Sequence, residues 1–159
     1  MLTREQSVEM AASPEEVFDL IHNYSRRLEW DPFLKHAALL GGAQVADVGV
    51  HSLCVAKNRL GGLGMETVYV VFDRPRIAAV KMVRGPWLLE SFGASLRQDR
   101  IEHDMTRVTY KYTLQTRPSW LRWLFTPICK WVFSRETHGR LAHLKTFLER
   151  PSSITEACS

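Results

Sequence analysis

From residue 33 to residue 116 the chain reads as one strand after another, with no helical stretch between them. Candidate strands are Phe33–Leu40, Val50–Lys57, Met65–Asp73, Ile77–Arg84, Leu88–Arg100 and Thr106–Thr116. Turn-forming stretches separate them: "LGGAQVADVG", "NRLGGLG", "DRPR", "RGP" and "EHDM". Two of these links are very short, so the strands they join should pair antiparallel. In the last strand Val108, Tyr110, Tyr112 and Leu114 share one face, and Thr109, Lys111, Thr113 and Gln115 the other. That alternation makes a sheet dry on one side and wet on the other.

Helical signals lie at the two ends. After a first strand at Thr3–Met10, Ser13 is an N-cap, Pro14 takes the first helical position and Glu16 completes a capping box. Val17, Leu20, Ile21 and Tyr24 follow on one helical face. A second short turn is expected through Ser25–Glu29, ended by "WDPF", because Pro32 disfavours helix at Asp31. A long helical pattern then runs from about Ser119 to Arg150, with Leu141, Leu144 and Leu148 in register. Pro127 should kink or interrupt it. Residues 151–159 are small and polar and should fray. Strands followed by a helix, without βαβ alternation, predict an α+β domain. Its sheet of six or seven strands curves around the C-terminal helix, and a space between them is the candidate site.

The 159 residues suit one domain, expected at 1–150. The three cysteines, Cys54, Cys129 and Cys158, include no CxxC pair, and no apolar leader follows Met1. A cytoplasmic setting fits. The formal charge of +4 is concentrated: from Arg117 onward there are seven Lys/Arg against three Glu, and the remainder is balanced. The stretch "SWLRWLFTPICKWVF" is rich in Trp but has no charge-free run beyond Trp123–Cys129. A bilayer span needs about 20 apolar residues, so this segment does not cross.

Few motifs carry chemistry. "RLGGLG" precedes a strand and not a helix, so it reads as a hairpin loop and not a phosphate cradle. The six histidines show no zinc spacing, and His138 and His143 stand about 140° apart on a helix, so neither a metal nor another cofactor is expected. No GxSxG or Cys/His signature marks a nucleophile. Trp30, beside Asp31, Pro32 and Phe33, is either a core plug or a cavity wall. Tyr69, Phe92, Tyr110 and Tyr112 pose the same choice, and inward hydroxyls need partners. Glu90 shares a strict-alternation face with Leu88 and Phe92 and is the one weak candidate for a general base. A bulge or one-residue slip would leave it exposed, which is the preferred reading.

The pattern "VEMAASPEEVFDLIHNYSRRLEWDPFL", then antiparallel strands, "TRVTYKYTL", and a helix ending "LAHLKTFLER" resembles the polyketide cyclase/dehydrase and lipid-transport family. This family belongs to the START-like, or SRPBCC, superfamily with the helix-grip fold. The resemblance spans about Gln6 to Arg150. It implies a hydrophobic cavity between sheet and C-terminal helix, with no universal catalytic residue to carry over. The cavity wall is then expected to include Trp30, Phe33, Tyr69, Phe92, Tyr110 and Tyr112. Leu124, Ile128 and Trp131 are added from the helix by their spacing of i, i+4 and i+7. Arg117, Trp120, Arg122 and Trp123 are left as a rim or weak membrane edge. The expected partner is a hydrophobic or aromatic small molecule (lipid, quinone or polyketide-like), bound or transported. A cyclase/dehydrase-type enzyme and a membrane-associated lipid or quinone chaperone are the alternatives. Weak contact with an anionic membrane is open, and no nucleic-acid partner is expected.

Overall fold

The computed structural model describes residues 1–150, Leu60 by its backbone alone. The strands are β1 (Leu2–Met10), β2 (Leu34–Leu39), β3 (His51–Ala56), β4 (Gly64–Asp73), β5 (Ile77–Arg84), β6 (Leu89–Glu102) and β7 (Met105–Thr116). Two short helices, α1 (Pro14–His22) and α2 (Arg27–Trp30), follow β1, and the long α3 (Arg122–Leu148) follows β7. All seven strands form one antiparallel sheet in the order β1-β7-β6-β5-β4-β3-β2. The predicted tail at 151–159 lies outside the described residues.

The α1 N-terminus forms as its sequence dictates. The Glu16 amide donates to Ser13 Oγ at 3.2 Å, and the Ser13 amide donates to the Glu16 carboxylate at 2.9 Å. Val17, Phe18, Leu20 and Ile21 are buried from this helix. Thr106 Oγ1 donates to the Ala12 carbonyl at 2.6 Å, tying the α1 entry to β7. The far end of α3 joins the same core, where Leu141 and Leu144 pack with Met10, Val17, Trp30 and Val108.

A bulge in β6 decides one sequence question. Leu89 pairs with Thr116 and Ser91 with Gln115, so two residues of β6 oppose one of β7. Strict alternation would turn Glu90 inward beside Phe92. The bulge instead buries Leu89 and leaves Glu90 exposed on the outer face, accepting from Gln115 Nε2 at 2.6 Å.

Helix α3 departs from expectation twice. It runs through Pro127 as one helix, after a 3₁₀ turn at Ser119–Leu121. Pro127 lies early in the helix and frees only the carbonyl of Trp123, a residue that is itself exposed. The second departure is its register. Leu124, Ile128 and Trp131, expected to face the sheet, are 40%, 52% and 62% exposed, whereas Cys129, Thr137, Leu141 and Leu144 are buried. The helix is turned by about one residue, roughly 100°, from the orientation its bulkiest apolar residues suggest.

Candidate functional site

A cavity of about 370 Å³ lies between the concave face of the sheet and α3. Its α3 wall runs from Ile128 to Arg140, about 18 Å along the helix axis. One half is apolar. Val80, Leu89 and Phe92 line it from the strands, and Val132 and Phe133 from α3. Pro86 and Leu88 of the β5–β6 loop also line it. Leu63, in the β3–β4 loop, and Ile128 are the lining residues that are exposed, which puts the mouth between that loop and the first turns of α3.

The other half is polar and deep. Arg27 Nε donates to Asp31 Oδ2 at 3.3 Å, and Nη1 donates to the Ile21 carbonyl at 3.0 Å. Burial works against the Arg27 charge, but the Asp31 carboxylate outweighs it and holds the Arg27 pKa above its ordinary value. Asp31 is fully enclosed and also accepts from the Phe33 amide at 3.2 Å. Arg140 approaches it from α3, with Nε 3.5 Å from Asp31 Oδ1. The Glu136 carboxylate stands 3.9 Å from Arg140 Nη2. Burial raises the Glu136 pKa, and Arg140 offsets that only in part. Breaking such a buried network by removing one partner costs more than the network adds to stability.

A second polar chain crosses the same end. Tyr69 OH lies 2.9 Å from His22 Nδ1 and 3.1 Å from Tyr24 OH. Burial lowers the His22 pKa to about 3, with the Arg27 charge adding to the effect. His22 is therefore a neutral ring at physiological pH. Burial pushes the hydroxyls of Tyr24, Tyr69 and Tyr110 up, so all three remain protonated. The chain supplies hydrogen bonds and no charge.

The predicted wall residues divide. Tyr69, Phe92, Tyr110 and Ile128 line the cavity. Trp30 does not. It is buried in the core, with the Arg27 guanidinium 4.6 Å above its ring. Phe33 lies against α3 at Gly139, where the missing side chain leaves room for its ring. Tyr112 is sealed behind the wall, 6.4 Å from Phe92 and 5.8 Å from Phe133 by ring centroids. Leu124 and Trp131 point away from the sheet, with Trp131 on an outer groove beside β1. Glu90 is outside the cavity and ion-paired to Arg122 at 3.3 Å.

The rim candidates also have positions. Trp120 and Trp123 are exposed. Arg122 is partly committed to Glu90 and to the Thr116 carbonyl, and Arg117 donates to the Leu89 carbonyl at 3.3 Å. Sequence reasoning missed Trp87, which is exposed in the β5–β6 loop and meets Phe125 edge-on at 6.3 Å. It also missed Arg27, Glu136 and Arg140, charged residues that a sequence reader assigns to water. Their signal was spacing: Cys129, Phe133, Glu136 and Arg140 fall at i, i+4, i+7 and i+11 on one stripe of α3. Among the described residues no three His, Cys, Asp or Glu side chains gather as a metal site, and no helix is long and apolar enough to cross a membrane.

A family model for polyketide cyclase/dehydrase and lipid transport proteins matches residues 1–149. The chain belongs to that family. Solved structures repeat its fold at low identity. The Zhui aromatase/cyclase of Streptomyces sp. R1128 aligns with a TM-score of 0.77 at 13% identity, over 99% of both chains. A START superfamily protein of Mycobacterium smegmatis gives 0.75 at 12%, covering 92% of this chain and 97% of its own. The XoxI protein of Bacillus cereus gives 0.74 at 16%, covering 93% and 96%. These likenesses show the helix-grip fold. No curated protein sequence matches the chain.

Proposed function

We propose that the protein binds a hydrophobic small molecule, lipid-, quinone- or polyketide-like, inside the cavity and carries or sequesters it. The observation that supports this is the 370 Å³ space with an apolar outer half and a mouth at Leu63 and Ile128. Protein interiors leave few voids larger than a water molecule, and ligand cavities run to roughly 300–1,000 Å³. The family description and the aromatase/cyclase neighbour favour the same ligand class. A cyclase-type reaction has less support, because Glu90, the general-base candidate of the sequence, lies on the outer face.

Ala94 tests the reading. Its methyl group lines the cavity from β6. Ala94→Phe fills the space, so titration with decan-1-ol should show uptake by the wild type and none by a variant of unchanged Tm. Were this position packed core, the insertion would instead cost about 1–3 kcal/mol. Equal uptake by both proteins refutes the proposal.

One observation favours docking on an anionic membrane as a further part of this function. Trp87, Trp120, Trp123, Leu124 and Ile128 are exposed on the first turns of α3 and the adjacent loop, where the cavity opens. Trp suits the headgroup level, and each nearby basic residue adds about 1 kcal/mol on an anionic surface. Lys130 and Arg117 can serve, whereas Arg122 is partly neutralised by Glu90. Co-sedimentation with anionic vesicles should be strong at low salt, fade at high salt and fall in Trp87→Ala and Trp123→Ala. Equal sedimentation with neutral and anionic vesicles at low salt rules docking out.

A further inference from the structure

We propose that the deep end of the cavity is a carboxylate subsite, in which Arg140 and Arg27 receive the acidic head of a hydrophobic acid whose body lies along the apolar half. This rests on the cavity reading and adds the ligand's head group and its orientation, head inward and tail toward the mouth.

Arg140 is the first reason. Its guanidinium lines the cavity, yet among the described residues it makes no hydrogen bond. Its nearest charged partners stand at 3.5 Å and 3.9 Å, and its buried Nε, the atom nearest Asp31, makes no hydrogen bond. A buried donor left unmade is costly, so an arginine kept here calls for an acceptor. The ring of Phe33, 5.9 Å away, supports the guanidinium from the side that Gly139 opens.

Arg27 supplies the second set of donors. Its Nε and Nη1 are used on Asp31 and Ile21, and no bond among the described residues uses Nη2. Tyr110 adds a hydroxyl that lines the same space and has no partner among those residues.

The charges then select the head group. Asp31 is enclosed between the two guanidinium groups and offers nothing to a ligand. Glu136 sits in the wall beyond hydrogen-bonding distance of Arg140, and burial favours its neutral form. Arg27 is hydrogen-bonded to Asp31, whereas the Arg140 guanidinium has no carboxylate at hydrogen-bond geometry. A ligand carboxylate supplies that acceptor and matches the planar donor fork of arginine. An alcohol uses one donor and leaves the rest of that fork unmet, and an ammonium head meets two like charges.

Calorimetric titration with decanoate, decan-1-ol and decylamine tests this, since the three probes share one tail. In the wild type decanoate should bind about tenfold tighter than decan-1-ol, the worth of one charge-assisted hydrogen bond. Decylamine should bind weakest. Arg140→Met should abolish the preference, so that decanoate and decan-1-ol bind that variant with equal affinity. If circular dichroism shows that variant unfolded, the three-probe order in the wild type decides alone. Equal wild-type affinities for acid and alcohol, or a folded Arg140→Met that keeps the preference, overturn the subsite and leave the cavity reading standing. Failure of all three probes to bind overturns the cavity reading, and the subsite with it.

Discussion

Gly139→Ala should destabilise the protein, against the ordinary effect of that change in a helix. Gly139 lies inside α3. At an unobstructed helix interior, Gly→Ala stabilises by about 1 kcal/mol, because alanine loses less backbone entropy. Here the added Cβ would stand 2.7 Å from Phe33 Cζ and 2.9 Å from Cε2. The ring is wedged between the helix and its own strand entry, so it must withdraw, and overpacking of this kind costs about 1–3 kcal/mol. The net expectation is a loss of about 1 kcal/mol, read from urea unfolding at constant m-value. The same substitution in a Phe33→Ala background should regain the helix increment and stabilise by about 1 kcal/mol. A coupling of about 2 kcal/mol between the two positions follows. If Gly139→Ala stabilises the wild type as much as it stabilises Phe33→Ala, the close approach is wrong, and with it the account of why Phe33 lies outside the cavity. The site is involved as well, because Phe33 flanks Arg140.

Two further outcomes follow from the site. The His22 pKa falls from 6.5 to about 3 on folding, so the unfolded chain binds the extra proton between those values and stability must drop as pH falls through that window. Between neutral pH and pH 5 this single group removes about 2 kcal/mol, and a unfolding series in His22→Gln should show a correspondingly flatter pH dependence. Glu90→Gln should leave decan-1-ol binding and its pH dependence unchanged, since Glu90 lies outside the cavity. A loss of uptake in that variant would return it to the site.

The order of elements was legible because local chemistry decides it. The Ser13–Glu16 capping box, the alternation through β7 and the short links around β5 each need only neighbours in sequence to act. The bulge at Glu90 was not legible in that way. It depends on how β6 meets β7, and strict alternation gave the wrong face as one of two options. The register of α3 was hidden for a more instructive reason. Its inward stripe carries Cys129, Glu136, Thr137 and Arg140, while Trp123, Leu124 and Trp131 face outward and Ile128 sits half-exposed at the mouth. A hydropathy reading assumes that apolar residues go inside, and around this cavity the assumption fails on both faces of the helix. Arg27 and Asp31, four residues apart just before Pro32, form a pair enclosed by the fold. What buries them is α3 returning over them from more than a hundred residues downstream, which no local pattern contains.

The central claim is that the cavity holds a hydrophobic molecule, and native mass spectrometry of protein purified gently from its own cells tests it most directly. The wild type should carry a non-covalent adduct that is lost on collisional activation, and Ala94→Phe prepared in parallel should carry none. The bare polypeptide mass in both, persisting after incubation with a lipid-soluble extract of the same cells, would contradict the account.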